Sequence, residues 1–116
     1  MLTEKTITIP IYEYKLKIVV FDDINDVRDK YPNLDIGVGC DGLLIDYGDK
    51  SMMCIPANNL SVVIHECEHA KNAIWLRIGH KPTADNDEVD AYLLEYIWEQ
   101  SDKVIKKHLD KLIKNK

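Results

Sequence analysis

His65 and His69 stand four residues apart in the run His65-Glu66-Cys67-Glu68-His69, and Glu66 directly follows the first of them. On a helix this spacing puts both imidazoles on one face, about one turn apart. Two neutral ring nitrogens placed in this way can share one tetrahedral Zn2+. Glu66 is offset around the same helix, so its carboxylate is suited to deprotonate a water at the metal rather than to ligate the ion. Chance occurrence of His-Glu-x-x-His in a chain of 116 residues is roughly a sub-percent event. Two histidines and a glutamate inside an otherwise apolar helix are costly to bury without a partner, and a metal ion supplies one.

The elements that must position these groups follow from patterning. Val62, Val63, Ile64, Ala70, Ala73, Ile74 and Leu76 surround the motif, which predicts a long, central, buried helix over residues 60–78. Asn58-Asn59 offer its N-cap, and Gly79 closes it as the C′ residue. His65, Glu68, His69 and Asn72 form one polar strip along it, suited to the floor of a cleft. Upstream, residues 6–11 alternate and meet Pro10, which suggests an edge strand or extended arm. Residues 14–21 form the best strand, with Tyr14, Leu16, Ile18 and Val20 on one face and Lys15 and Lys17 on the other. Asp22 or Asp23 caps a short helix over 24–31, ended by Pro32. Residues 37–42 form a glycine-rich turn, and 43–47 with 52–55 form a hairpin around Gly48-Asp49-Lys50-Ser51. Downstream, a helix is predicted over 87–100, a break at Ser101-Asp102, and a last amphipathic helix over 103–113. The order β-β-α-β-β-α-α-α implies a single α+β domain. A small antiparallel or mixed sheet would pack on the motif helix, which two further helices follow.

A peptidase zinc site needs three protein ligands and one open position. In the metzincins a Gly and a His follow the second motif His by three and six residues. Here those positions are Asn72 and Trp75. The next acidic cluster is Asp85, Asp87, Glu88 and Asp90, and residues 70–87 separate His69 from Glu88. That spacing is seen in one branch of the glutamate zincins. With Asn86-Asp87-Glu88-Val89-Asp90-Ala91-Tyr92, the chain resembles a minimal gluzincin, similar to small zinc-metallopeptidase-like proteins of tailed phages and more distantly to ImmA/IrrE-type peptidases. The resemblance covers mainly residues 60–98.

It implies a zincin-like fold and peptide-bond hydrolysis, with His65, His69 and Glu88 as Zn2+ ligands and Glu66 as general base. Glu88 also suits a capping role, since Asp85-x-x-Glu88 is a capping-box-like pattern. Asp87 or Asp90 is then the alternative ligand. Larger gluzincins often carry an acid four residues after the ligand Glu, where this chain has Tyr92. Asp90, Glu95 or a backbone carbonyl is left to orient an imidazole. Tyr92, Tyr96, His80 and His108 are the candidates for stabilising an oxyanion. The substrate would lie extended along an exposed strand of the hairpin.

Other residues carry plainer expectations. Cys67 points away from the histidines and is expected to be a core thiol. His80 is expected in solvent and His108 as a satisfied core histidine, with Trp75 and Trp98 as packing residues. Asp41, Asp46 and Asp49 are expected as turn or exposed strand carboxylates. The formal net charge of −5 argues against general nucleic-acid binding, which needs a basic face. The lysine-rich stretch 103–116 is expected to be a solvated helix face. Three scattered cysteines, Cys40, Cys54 and Cys67, suit a reducing compartment better than a disulfide framework. Residues 1–20 carry five charged side chains, Glu4, Lys5, Glu13, Lys15 and Lys17, unlike a signal peptide. No stretch approaches membrane-spanning length. A cytoplasmic setting is expected, the host's if the chain is phage-encoded, with a peptide or protein as substrate.

Overall fold

The computed structural model describes residues 1–10 and 12–115. Ile11, the last residue of the expected first strand, and Lys116, the end of the lysine-rich stretch, lie outside them. The elements run β1 (Leu2–Ile9), β2 (Tyr14–Phe21), α1 (Ile24–Lys30), β3 (Leu43–Asp46), β4 (Lys50–Pro56), α2 (Leu60–Ile78) and α3 (Asp87–Lys114). The protein is thus α+β, with a four-stranded mixed sheet of order β1-β2-β4-β3. β1 pairs with β2 antiparallel, β2 with β4 parallel, and β3 with β4 antiparallel. β3 therefore occupies one edge, and β4 is interior.

Two-residue alternation sorts the sheet's side chains between two cores. Tyr14, Leu16, Ile18 and Val20 of β2 and Met53 and Ile55 of β4 pack with Val63, Cys67, Ala70 and Ile74 of α2 and with Ile97 and Val104 of α3. On the opposite face, Val19, Phe21, Met52 and Cys54 pack with Val27 of α1 and the partly buried Leu34 and Ile36. Lys15 and Lys17 share that second face beyond the cover of α1. The alternation that marks β2 in the sequence thus separates the two sides as expected.

α2 spans the expected residues. The Asn59 side chain accepts a hydrogen bond from the Val62 N–H at its start. Gly79 closes it in the left-handed region (φ 75°), where the His80 N–H reaches the Trp75 carbonyl at 3.0 Å. This is the Schellman arrangement, and its backbone favours glycine.

α3 corrects the expected break at Ser101-Asp102, because a single helix runs through it. Ser101 is fully buried, and its hydroxyl donates to the Ile97 carbonyl one turn back at 2.7 Å. A serine satisfied in this way need not interrupt a helix. The motif helix is therefore followed by one long helix rather than two. The start of α3 also differs from the expected capping box. Asn86 is the N-cap residue and makes no side-chain capping bond, so the Asp85-Glu88 box does not form.

His108 satisfies the expectation for a core histidine. It is completely buried, with Nδ1 2.7 Å from the Thr3 hydroxyl and Nε2 3.0 Å from an Asp22 carboxylate oxygen. It ties α3 to β1 and to the entry of α1.

Candidate active site

The motif helix packs on the sheet face, mainly against β4, and also touches the edge strand β3. His65, Glu66 and His69 project from α2 into a cleft of about 490 Å3 whose other wall includes Gly42, Leu44 and Asp46. The imidazole Nε2 atoms of His65 and His69 lie 3.1 Å apart, with the ring planes at 82°. Two nitrogens of one tetrahedral zinc, each about 2.05 Å from the ion, are separated by roughly 3.3 Å. The pair is therefore spaced as two ligands of a single ion require, and borderline-soft imidazole nitrogen is a donor that zinc prefers.

Glu66 completes the convergence. Donor atoms of His65, Glu66 and His69 all lie within 4.8 Å of one another, and among the described residues this is the group so arranged. Glu66 is 5% exposed while both histidines are open to solvent. Burial raises the Glu66 carboxyl above its ordinary range, and the imidazoles of His69 and His65 offset part of that rise. A carboxylate shifted toward neutrality is a better proton acceptor than a fully solvated one.

Gly42 permits the close approach of strand and helix. A Cβ at this position would stand 2.7 Å from Val62 Cγ1, 3.2 Å from the Cys54 carbonyl oxygen and 3.2 Å from Glu66 Cγ. The absent side chain lets the chain entering β3 lie directly against Glu66. Beyond it, the strand's hydrogen-bonding pattern follows from the turn. The Tyr47 N–H donates to the Lys50 carbonyl at 2.9 Å, closing the two-residue loop Gly48-Asp49. In an antiparallel pair, hydrogen-bonded and non-bonded partners alternate. Ile45 opposite Met52 and Leu43 opposite Cys54 then bond inward to β4. Leu44 and Asp46 turn their backbone N–H and C=O groups to the free rim, and their side chains face the cleft.

The structure does not bring Glu88 to this group. Glu88 is exposed in the first turn of α3 and does not converge with the imidazoles. Asp87 is likewise exposed. Asp90 is committed elsewhere, accepting from Lys71 Nζ at 2.7 Å and from the Trp75 indole N–H at 2.7 Å. Burial opposes ionisation of Asp90, but those two bonds outweigh it and hold the carboxyl below its ordinary value. Lys71, nearly buried, also pairs with Glu68 at 2.8 Å. Asp90 thus fastens α3 to the side of α2 away from the cleft, and it does not orient an imidazole. Glu95 lines an apolar groove with Ile64 and Trp98 and does not do so either.

None of the four oxyanion candidates lines the cleft. Tyr92 is 65% exposed on α3, Tyr96 packs against the core, and His108 is enclosed. His80 is partly buried rather than in solvent, with its ring 4.5 Å from that of Trp75. The polar side chains that do share the cleft with the histidines are Asn72 and Asp46. Asn72 belongs to the strip visible in the sequence. Asp46 was legible only as a strand carboxylate, because nothing local tells which strand will lie beside the motif helix.

No protein-family model matches the chain, and neither a curated protein nor a solved structure matches it. Among the described residues, no helix is long and apolar enough to cross a membrane.

Proposed function

We propose that the chain is a zinc-dependent peptidase of minimal gluzincin type, acting on extended polypeptide segments. The observation that carries this reading is the 3.1 Å approach of the His65 and His69 Nε2 atoms beside a largely buried Glu66. A bound Zn2+ would lower the pKa of a water toward neutrality and polarise a scissile carbonyl. His65 and His69 hold the ion in this proposal. Glu66 accepts the proton of the attacking water and delivers it to the leaving amine. The rim groups of Leu44 and Asp46 hold the substrate backbone as an added strand. The expected alternative along β4 is set aside, since β4 is buried between β2 and β3. Glu88 remains the proposed third ligand on family spacing alone. A reducing cytoplasm, and a polypeptide rather than nucleic acid as partner, suit the acidic composition and scattered cysteines.

A second reading is favoured by one specific feature. Glu66 itself converges with both imidazoles, so it could be the third ligand of a His2Glu site. That site would bind zinc but have no general base, as in a zinc-stabilised binding protein of phage origin. Glu66→Gln separates the two. A peptidase variant keeps stoichiometric zinc by elemental analysis and loses hydrolysis of unfolded casein. Loss of zinc together with any activity assigns Glu66 to the metal, and hydrolysis at the wild-type rate removes it from the chemistry altogether. His69→Ala loses zinc on either reading.

A further inference from the structure

We infer that the cleft selects an extended peptide carrying a basic side chain two residues from an apolar one, and that Asp46 is the residue that selects it. This rests on reading the cleft as a peptide site and adds the class of peptide. Leu44 and Asp46 are the outward-bonding residues of β3, and both side chains stand on the cleft face. A strand added to this edge places two of its own residues, two apart in sequence, beside them on that face. The neighbour of Leu44 meets an apolar side chain, in a cleft that Ala73 and Leu76 of α2 also line. The neighbour of Asp46 meets a carboxylate.

The local charge at the Asp46 end points the same way. Asp46 is the carboxylate at that end, and among the described residues no Lys or Arg lines the cleft. Asp46 accepts one bond, from the Gly48 N–H at 2.8 Å. A carboxylate has about four acceptor sites, so most of its capacity is left for a ligand. Asp46 lies four residues along the strand from Gly42, roughly 13 Å at 3.3 Å per residue, and Gly42 abuts Glu66. The basic side chain therefore lies several residues of bound peptide from Glu66, in a position to select substrate without touching the reacting bond.

The test is binding, so it does not depend on turnover. Two fluorescein-labelled octapeptides differ only by Lys or Glu at one position, two residues from a Leu in a Thr/Val background. Their binding to zinc-loaded protein is measured by fluorescence anisotropy at low salt. An exposed attraction replaced by an exposed repulsion is worth about tenfold here. The Lys peptide should bind about ten times more tightly than its Glu counterpart. Asp46→Asn should reduce that ratio to about two, while Asp49→Asn, outside the cleft, should leave it unchanged. Equal binding of the two peptides, or an unchanged ratio in Asp46→Asn, overturns the inference. The peptidase reading fails separately: a charge preference with no hydrolysis sinks the activity but keeps the selectivity, and hydrolysis without the preference does the reverse.

Discussion

Replacing Gly42 by alanine tests the packing on which the cleft depends. The new methyl would lie 2.7 Å from Val62 Cγ1, about 1 Å inside the optimal carbon–carbon separation of roughly 3.5–4.0 Å. It would also stand 3.2 Å from the Cys54 carbonyl oxygen, which belongs to the interior strand β4. Val62 is β-branched and helical, so its rotamer is stiff, and a backbone carbonyl in a sheet has nowhere to go. Overpacking of this kind costs about 1–3 kcal/mol. The reduced freedom of the unfolded chain returns about 0.4–1 kcal/mol. The net loss is therefore about 1–2 kcal/mol. An unfolding entropy of about 2.1 cal/mol/K per residue makes that roughly 4–8 °C in Tm for a chain of this length. Gly37→Ala is the control. A Cβ there meets nothing within 4 Å and the backbone is not left-handed, so it should be neutral or slightly stabilising. Thermal unfolding followed by circular dichroism distinguishes the two. Should Gly42→Ala melt at or above the wild-type temperature, as Gly37→Ala is expected to, strand and helix are not in the contact described.

Asp90→Ala should destabilise the protein by about 1–3 kcal/mol in urea unfolding, because it strips the Trp75 indole of its acceptor and leaves Lys71 with Glu68 alone. A loss under 0.5 kcal/mol would show that Asp90 does not hold the two helices together. For Glu4, burial favours the neutral acid, but hydrogen bonds from Lys30 and Tyr31 outweigh it and its folded-state pKa is lowered. Its contribution is fully present above its unfolded-state pKa and is lost as the pH falls through the lower folded value. Glu4→Gln should thus flatten the acid limb of the stability–pH curve, and an identical limb would refute that pairing. Burial pushes the Cys54 thiol up to about 12 and the Cys67 thiol up to about 11. Native protein treated with iodoacetamide should therefore be alkylated at the half-exposed Cys40 alone, as mass spectrometry would show, with Cys54 and Cys67 labelled only in urea.

Local signals carried the elements, and long-range ones were silent. Asn59, the 60–78 pattern and Gly79 specify α2 because caps and helical periodicity act within a few residues. β2 was readable because a buried face alternating with Lys15 and Lys17 leaves one register open. Ser101 misled because its effect depends on whether its hydroxyl finds a carbonyl inside the helix, and composition does not record that. The two histidines were legible for the same local reason as α2. Glu88, Asp90 and the oxyanion candidates depend on how α3 rotates against α2. That rotation is fixed by Lys71 and Trp75 gripping Asp90, a three-way contact with no periodic trace. The far wall of the cleft was hidden for a similar reason, since β4 pairs with β2 in parallel and so sends β3 to the outside.

An uncapped rim is also a hazard, since exposed strand edges are where chains stick to one another and aggregate. β3 limits that danger by its brevity, four residues with two outward rungs, too few to template a long ladder. Its terminal aspartate adds a second safeguard. Any other copy of the chain approaching edge to edge would bring the same negative charge to the same rim, so the feature that admits a cationic guest also keeps identical molecules apart.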